Sequence, residues 1–167
     1  MQSMQGALEH IEHKKSFNFK ESFNIKILET IENSCKKHSI TKASDENMLN
    51  LKIKSPSTQK LININELLKE YFRKEEIDCA CESCKTNKAI KSTNFGETPE
   101  NLIVVLNILK FENNIGKKIQ TFIELTNEIN LDCFIASTSE ASIQQFKLFG
   151  LCYHTGNNIY SGHYTSK

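Results

Sequence analysis

Three cysteines crowd one short segment of the 167-residue chain, Cys79, Cys81 and Cys84. Cys81-x-x-Cys84 has the two-residue spacing with which a tight knuckle turn offers two thiolates to one tetrahedral Zn2+. Alone such a pair is weak evidence, but Cys35-x-x-His38 stands upstream, where an imidazole nitrogen takes the place of one thiolate. Two knuckles between extended segments would form a Cys3His zinc ribbon with Cys35, His38, Cys81 and Cys84 as ligands. The gap between the halves exceeds the roughly 15 to 20 residues of a compact ribbon, because a helix is inserted between them. Four protein ligands leave no open position, so such a metal would be structural. Two alternatives stay open: Cys35 and His38 exposed and unligated in a lysine-rich turn, or Cys79 taking a thiolate position. Cys133 and Cys152 lie in apolar surroundings without metal spacing and read as small core residues.

A second chemistry is written at the end of the sequence, FKLFGLCYHTGNNIYSGHYTSK. A strand carrying Phe146, Leu148 and Leu151 leads to His154-Thr155-Gly156, a polar turn follows, and Gly162-His163-Tyr164 opens the next strand. A histidine beside glycine leaves room for a substrate backbone to come close. An imidazole also titrates near neutrality, as a general base to a thiol must. On spacing alone, an isolated histidine of this kind is more readily a structural or surface residue.

These groups need elements to position them. Phe23, Ile25 and Ile27 alternate with Asn24 and Lys26 as in a half-buried strand. The pattern breaks at SCKKHS and resumes at Met48, Leu49, Leu51 and Ile53 before the loop signal SPST. One helix is clear: Asn63 can cap it, Glu66 stands three residues on as in a capping box, and Ile62 can staple against Leu67. Ile64, Leu67, Leu68, Tyr71 and Phe72 then mark one buried face. After Thr98-Pro99, the run LIVVLNILKF from Leu102 to Phe111 is apolar on both faces and β-branched, which predicts a central strand. KKIQTFIEL and FKLFGLCYH read as further extended runs. Mostly strand with one helix, no repeat and no low-complexity linker, the chain predicts a single α+β unit.

Composition narrows the function. Lys plus Arg number 21 against 20 for Asp plus Glu, a net charge of +1, which excludes binding to nucleic acid through a strongly basic face and attachment to membrane through a polybasic segment. Arg73 is the only arginine, which reads as coding bias toward lysine. No run approaches the ~18 to 20 apolar residues of a membrane span, and the N-terminus lacks a basic-then-apolar signal. The expectation is an intracellular protein, cytoplasmic or nuclear, in whose reducing milieu clustered cysteines favour metal over disulfides.

Taken together, the motifs resemble the ubiquitin-specific protease family, the papain-like cysteine deubiquitinases. That family's C-terminal signature runs aromatic-x-Leu, His-x-Gly, then Gly-His-Tyr, matched here by Phe146, Leu148, His154, Gly156, Gly162, His163 and Tyr164. Its Pro-x-x-Leu strand ending in Leu-Lys-Arg-Phe looks like Pro99, Leu102 and Ile108 to Phe111, with Lys110 in place of arginine. Its fingers carry two knuckles around a helix ending in acidic residues, matched by Cys35, His38, Glu75, Glu76, Cys81 and Cys84. The resemblance covers Phe23 to Lys167 in order. It implies part of a papain-like catalytic domain: zinc-ribbon-like fingers over about 23–98, an antiparallel palm sheet over about 99–167, and a weakly structured lead-in over 1–22. It implies that His163 is the catalytic histidine, deprotonating a cysteine that attacks the isopeptide carbonyl after ubiquitin's C-terminal glycine. Gly162 and Tyr164 would line the channel for ubiquitin's tail, His154 and Gly156 would shape the loop beside it, and the zinc would stiffen the fingers that hold ubiquitin.

Two departures stand against activity in this chain by itself. The family's nucleophile lies in a Gly-Asn-Thr-Cys-Tyr box at a helix start, where the dipole lowers the thiol pKa. Nothing in Met1 to Asn33 matches it, and no cysteine precedes Cys35. The aspartate or asparagine that orients the histidine normally follows Gly-His-Tyr at some distance, and only three residues follow Tyr164 here. Cys152, two residues from His154, lacks the helix-terminus activation the chemistry requires. The expectation is a deubiquitinase fragment inactive alone. The alternative is a non-catalytic ubiquitin-binding module with a structural zinc ribbon, and whether the chain is itself an enzyme stays open. A zinc-ribbon domain unrelated to ubiquitin would make the C-terminal match coincidence.

Overall fold

The structure is a computed structural model and describes residues 18–53, 61–81, 85–112, 115–119, 121–137, 143–156 and 160–167. The described residues open with a short helix, α1 (Phe19–Phe23), then β1 (Ile25–Asn33), β2 (Ser39–Glu46), β3 (Leu49–Lys52) and β4 (Ile62–Asn63). Helix α2 (Ile64–Tyr71) follows, then β5 (Glu75–Asp78), β6 (Lys88–Glu97), β7 (Val104–Asn107) and β8 (Leu109–Glu112). The remainder is β9 (Ile115–Lys118), β10 (Ile123–Glu124), β11 (Glu128–Asn130), a 3-10 turn (Asp132–Phe134), β12 (Gln145–Lys147), β13 (Cys152–Thr155) and β14 (His163–Ser166). No helix among the described residues is long and apolar enough to cross a membrane.

β1 and β6 are the two long strands and form the centre of an antiparallel sheet ordered β2-β1-β6-β5. Its apolar content fades from base to tip. Ile25 and Ile27 on β1 and Phe95 on β6 are buried at the base, whereas every residue of β2 is exposed. The register carries that polar end outward as a projecting ribbon, with Glu32 opposite Ser39 and Asn33 opposite Ala89. Beside these antiparallel pairs run two short parallel ones, β3 with β7 and β4 with β10.

Helix α2 forms where the spacing predicts it. Asn63 takes an extended backbone (φ −88°, ψ 140°), and its side-chain oxygen accepts from the Asn65 N–H at 2.8 Å, satisfying one of the helix's free donors. The amide of the same side chain donates to Glu124 Oε2 at 2.9 Å, which ties the helix start to β10. Ile64, Leu67, Leu68 and Phe72 bury their side chains with Ile25, Ile27, Leu49, Leu51, Phe95, Leu131 and Phe134 in one cluster. Phe72 is its aromatic hinge: the Phe95 ring lies 4.8 Å away at a tilt, and the Phe134 ring stacks at 4.8 Å. The sheet base, the helix and the C-terminal half thus share one core, with the projecting ribbon outside it.

Several sequence expectations are corrected. Phe23 ends α1 and the first strand begins at Ile25, since the chain turns at Asn24 before pairing starts. LIVVLNILKF is not one central strand. It divides into β7 and β8 at Ile108, because Asn107 Oδ1 accepts the Leu109 N–H at 3.1 Å and bends the backbone. Neither part is buried on both faces: Val104, Val105 and Leu106 are half-buried and Leu109 is exposed. KKIQTFIEL and FKLFGLCYH are each split between two strands, and Met48 is exposed just before β3. Cys133 and Cys152 are exposed, not core residues. In the 3-10 turn it is Phe134 that is buried, and Cys152 lies exposed in a two-stranded hairpin. Most of the lead-in expected over 1–22, including LEHIEH at 8–13, which could form a helical turn or two, lies outside the described residues, as do the SPST loop and Cys84.

Candidate functional site

Two places in the fold gather chemistry-bearing side chains. The first is the tip of the ribbon, where the β1–β2 turn meets the segment between β5 and β6. Antiparallel pairing of β1 with β6 brings these turns together, and Ser34 seals the junction, its N–H and hydroxyl both donating to the Lys88 carbonyl at 3.0 and 2.6 Å. Each turn closes on itself: the Asn33 N–H donates to the His38 carbonyl (3.0 Å), and the Cys81 N–H to the Thr86 carbonyl (2.8 Å).

His38 Nδ1 lies 3.4 Å from Cys35 Sγ and 3.6 Å from Cys81 Sγ, and all three atoms fall within 4.8 Å of one another. A tetrahedral ion with Zn–S of ~2.3 Å and Zn–N of ~2.0 to 2.1 Å holds its nitrogen and sulfur ligands about 3.6 Å apart. The donor set fits that ion, and it joins residues of both knuckles. Cys81 is buried and Cys35 half-buried, while His38 is exposed. Of the four expected ligands, three converge. Cys79 stands apart from the group, its N–H donating to the Asn87 carbonyl at 3.0 Å.

The backbone supplies a second sign that the tip is constrained. Lys36 (φ 56°) and Lys85 (φ 58°) occupy the left-handed region, one at each knuckle, where a non-glycine residue costs roughly 1 to 2 kcal/mol. Each closes a tight turn, the Lys36 N–H donating to the Asn33 carbonyl (2.8 Å) and the Lys85 N–H to the Cys81 carbonyl (2.9 Å). Such strain persists where surrounding structure fixes it. Sequence reasoning missed both, because lysine carries none of the signal that glycine would.

The second place is the β13–β14 hairpin. Its register sets Thr155 opposite His163, His154 opposite Tyr164 and Cys152 opposite Ser166. Gly156 (φ +155°) and Gly162 (φ +156°) lie in a region that side-chain-bearing residues rarely adopt. A Cβ on Gly156 would meet the Ser161 carbonyl oxygen at 2.5 Å, and one on Gly162 would meet His154 Nε2 at 2.3 Å and the Thr155 oxygen at 2.4 Å. Internal packing thus accounts for both glycines. The His154 ring fills the hairpin mouth, 4.9 Å from the Tyr164 ring, while the His163 and Tyr164 side chains stand exposed. All five residues singled out at this end of the sequence are therefore brought together.

One participant was not singled out. The Lys118 ammonium, from the end of β9, lies 3.2 Å from His154 Nδ1 and donates to the carbonyls of His154 (2.9 Å) and Gly156 (2.8 Å). A shallow concavity of about 170 Å3 sits between α2 and the sheet, lined by Glu29, Tyr71, Arg73, Glu75, Lys91 and Thr93. Its charges pair among themselves, Lys91 with Glu29 and Arg73 with Glu70 and Glu75. Burial, with smaller contributions from Glu46 and Glu29, raises the Tyr71 pKa.

The same architecture occurs in solved structures. The SAGA Ubp8/Sgf11/Sus1/Sgf73 DUB module bound to ubiquitin aldehyde matches with a TM-score of 0.76 at 20% identity, over 98% of this chain and 38% of that one. The SAGA Ubp8/Sgf11/Sus1/Sgf73 DUB module bound to monoubiquitin matches with a TM-score of 0.75 at 24% identity, over 87% of this chain and 33% of that one. The fold is that of part of a ubiquitin-specific protease catalytic domain. Residues 4–167 match the ubiquitin carboxyl-terminal hydrolase family, and the chain belongs to it. Ubiquitin carboxyl-terminal hydrolase 25 of Arabidopsis thaliana is 31% identical over 107 residues, which make up 61% of this chain and 16% of that protein. The chain spans well under half the length of these relatives.

Proposed function

We propose that this segment is the fingers-and-palm part of a cysteine-type deubiquitinase and supplies its general base, His163, while the nucleophilic thiol comes from a part of the catalytic domain outside these 167 residues. The observation that carries this reading is the β13–β14 hairpin, whose two glycines and His154 present His163 and Tyr164 outward on a fixed register. His163 takes the proton of the attacking cysteine, returns it to the departing lysine amine, and then deprotonates the water that hydrolyses the thioester to ubiquitin's C-terminal glycine. Gly162 and Tyr164 flank the tail channel, and His154 and Gly156 form its wall.

The thiols in the described residues are poorly placed to serve His163. Cys35 and Cys81 belong to the ribbon-tip cluster, Cys79 follows β5 on the same ribbon, Cys133 lies in the 3-10 turn, and Cys152 is three residues along the hairpin from Thr155, which faces His163. That is a separation of about 10 Å along the strand.

At the tip, Cys35, His38 and Cys81 hold a structural Zn2+, with Cys84 completing four ligands. The ion supplies no reaction step. It fixes the ribbon over 23–98 as a surface for the folded body of ubiquitin, which the net charge near zero favours over nucleic acid. The palm is the part over 99–167, and the site of action is the cytoplasm or nucleus.

A ubiquitin C-terminal fluorogenic substrate and a parallel ubiquitin-binding measurement test the proposal. The chain should bind ubiquitin without hydrolysing the substrate. Joined to an upstream segment bearing a Gly-Asn-Thr-Cys box, it should hydrolyse in a manner abolished by His163→Ala. Hydrolysis by these 167 residues alone, lost on His163→Ala, would overturn the external thiol. No ubiquitin binding by a folded, zinc-replete sample would count against any ubiquitin-directed role. A second reading, a non-catalytic ubiquitin-binding module with a structural zinc ribbon, predicts binding but no hydrolysis even with such a segment attached.

A further inference from the structure

The Lys118 ammonium is held half-buried by the hairpin of β8 and β9. Its neighbour Ile119 is buried, and the Ile119 N–H donates to the Ile108 carbonyl at 2.7 Å, so the lysine stem leaves a fixed backbone. From there one nitrogen reaches three acceptors on a different hairpin: His154 Nδ1, the His154 carbonyl and the Gly156 carbonyl, at 3.2, 2.9 and 2.8 Å. An ammonium has three protons and no lone pair, so all three contacts are donations and the nitrogen's capacity is filled. We infer that Lys118 is the positioning residue of the histidine hairpin: it locks the His154–Gly156 turn and the tautomer of His154, and so sets where His163 stands for proton transfer.

The chain of contacts is short. Because Nδ1 accepts from Lys118, the proton of a neutral His154 resides on Nε2. That edge of the ring abuts Gly162, whose Cβ, were there one, would lie 2.3 Å from Nε2. Gly162 immediately precedes His163, and Tyr164, just beyond, packs its ring against His154. Displacing the His154 ring therefore displaces both neighbours of the general base. A guanidinium spreads its donors over three nitrogens and cannot aim three bonds from one point. The inference rests on the reading of His163 as general base.

The test separates the two. In the 167-residue chain labelled with 15N-histidine, two-bond 1H–15N correlation spectra should show neutral His154 with its proton on Nε2. Lys118→Met should turn this into a mixture of tautomers, with amide signals of β1 and β6 unmoved. In the hydrolytically competent protein, Lys118→Met should lower kcat on the order of 10- to 100-fold, the scale of a misplaced catalytic group. Lys118→Arg, which keeps the charge, should not restore the rate. A wild-type His154 with its proton on Nδ1 overturns the inference without any variant. So does a Lys118→Met or Lys118→Arg protein with wild-type kcat and an unchanged tautomer. If His163→Ala leaves hydrolysis intact, the general-base reading fails while the tautomer measurement still decides the lock. If Lys118→Met does not fold, Lys118→Arg and the wild-type spectrum decide it.

Discussion

The ribbon tip and the histidine hairpin solve the same problem, holding a few polar side chains in fixed geometry at the surface, by opposite means. The hairpin is locked by protein groups alone: two glycines at φ +155° and +156°, a ring packed in the mouth, and a lysine from the neighbouring β8–β9 hairpin whose three bonds close the turn. At the tip, residues from distant parts of the sequence, Cys35 and Cys81, meet across β1 and β6, flanked by polar strands and two strained lysines. Beyond Cys81 and Ala89 little is buried there, since the apolar cluster lies at the other end of the sheet. The hairpin can keep its shape without an added group, whereas on the proposed reading the tip depends on the ion that its two thiols and imidazole would hold.

The largest expected effect follows. Cys81→Ser, or chelation of the wild type, should remove one equivalent of zinc and melt the ribbon. Structural zinc contributes on the order of 10 kcal/mol to small ligand-folded units, far beyond any single contact here. Metal content by mass spectrometry, read with amide exchange on β2 and the outer half of β1, checks it. Amides of β13 and β14 should stay protected. A zinc-free chain with the same protection at the tip would erase the difference between the two regions.

Phe95→Ala should come next, because that residue joins the two regions. Its ring is fully buried against Phe72, and its carbonyl accepts the Ala136 N–H at 2.9 Å, linking β6 to the C-terminal half. Removing a buried phenylalanine costs roughly 3 to 5 kcal/mol. The loss should appear in one global denaturation transition, with zinc content unchanged at low denaturant.

Gly162→Ala sharpens the comparison from the other side. The added Cβ collides with backbone at Thr155 and with the His154 ring, in a conformation alanine rarely takes. A local cost of about 1 to 3 kcal/mol is expected, with hydrolysis by the competent protein falling much further than stability. Proton spectra of the histidine rings, beside the zinc content, should show the damage confined to the hairpin.

Much of this organisation was legible in the sequence, unevenly. Helix α2 was, since Asn63 and the spacing of Ile64, Leu67 and Leu68 act within a few residues of one another. The cysteine spacing announced the tip, and the histidine and glycine motif announced the hairpin. β2 was not, because SITKASDE is exposed on both faces and leaves no alternation to read. LIVVLNILKF looked continuous because apolarity on both faces does not say where Asn107 will bend the chain. Cys133 and Cys152 looked like core residues because apolar neighbours in sequence were taken for apolar neighbours in space. Lys118 was invisible for another reason: it stands 36 residues from its partner in a chain where lysine is common, and only the pairing of β8 with β9 separates it from Lys117.

The smallest effect tests whether surface charge contributes to holding the ribbon. Lys88, beside the tip, pairs with Asp78 at 2.9 Å and Glu76 at 3.2 Å, and its pKa is raised first by the hydrogen bond to Asp78, then by that to Glu76. A raised lysine pKa means that the folded state holds the proton more tightly than the unfolded one. The contribution is then complete below the ordinary lysine pKa of ~10.4 and is lost as pH rises through the folded value. At neutral pH the pair is fully formed, yet it is exposed to water and salt, where such pairs contribute little. Lys88→Met should therefore shift the melting temperature by no more than the scatter of replicate scans at pH 7, leave zinc content intact, and abolish only a slight alkaline loss of stability above pH ~10.4. A large drop at pH 7 would mean that the tip is held by its flanking ion pairs more than by the ligands at its centre.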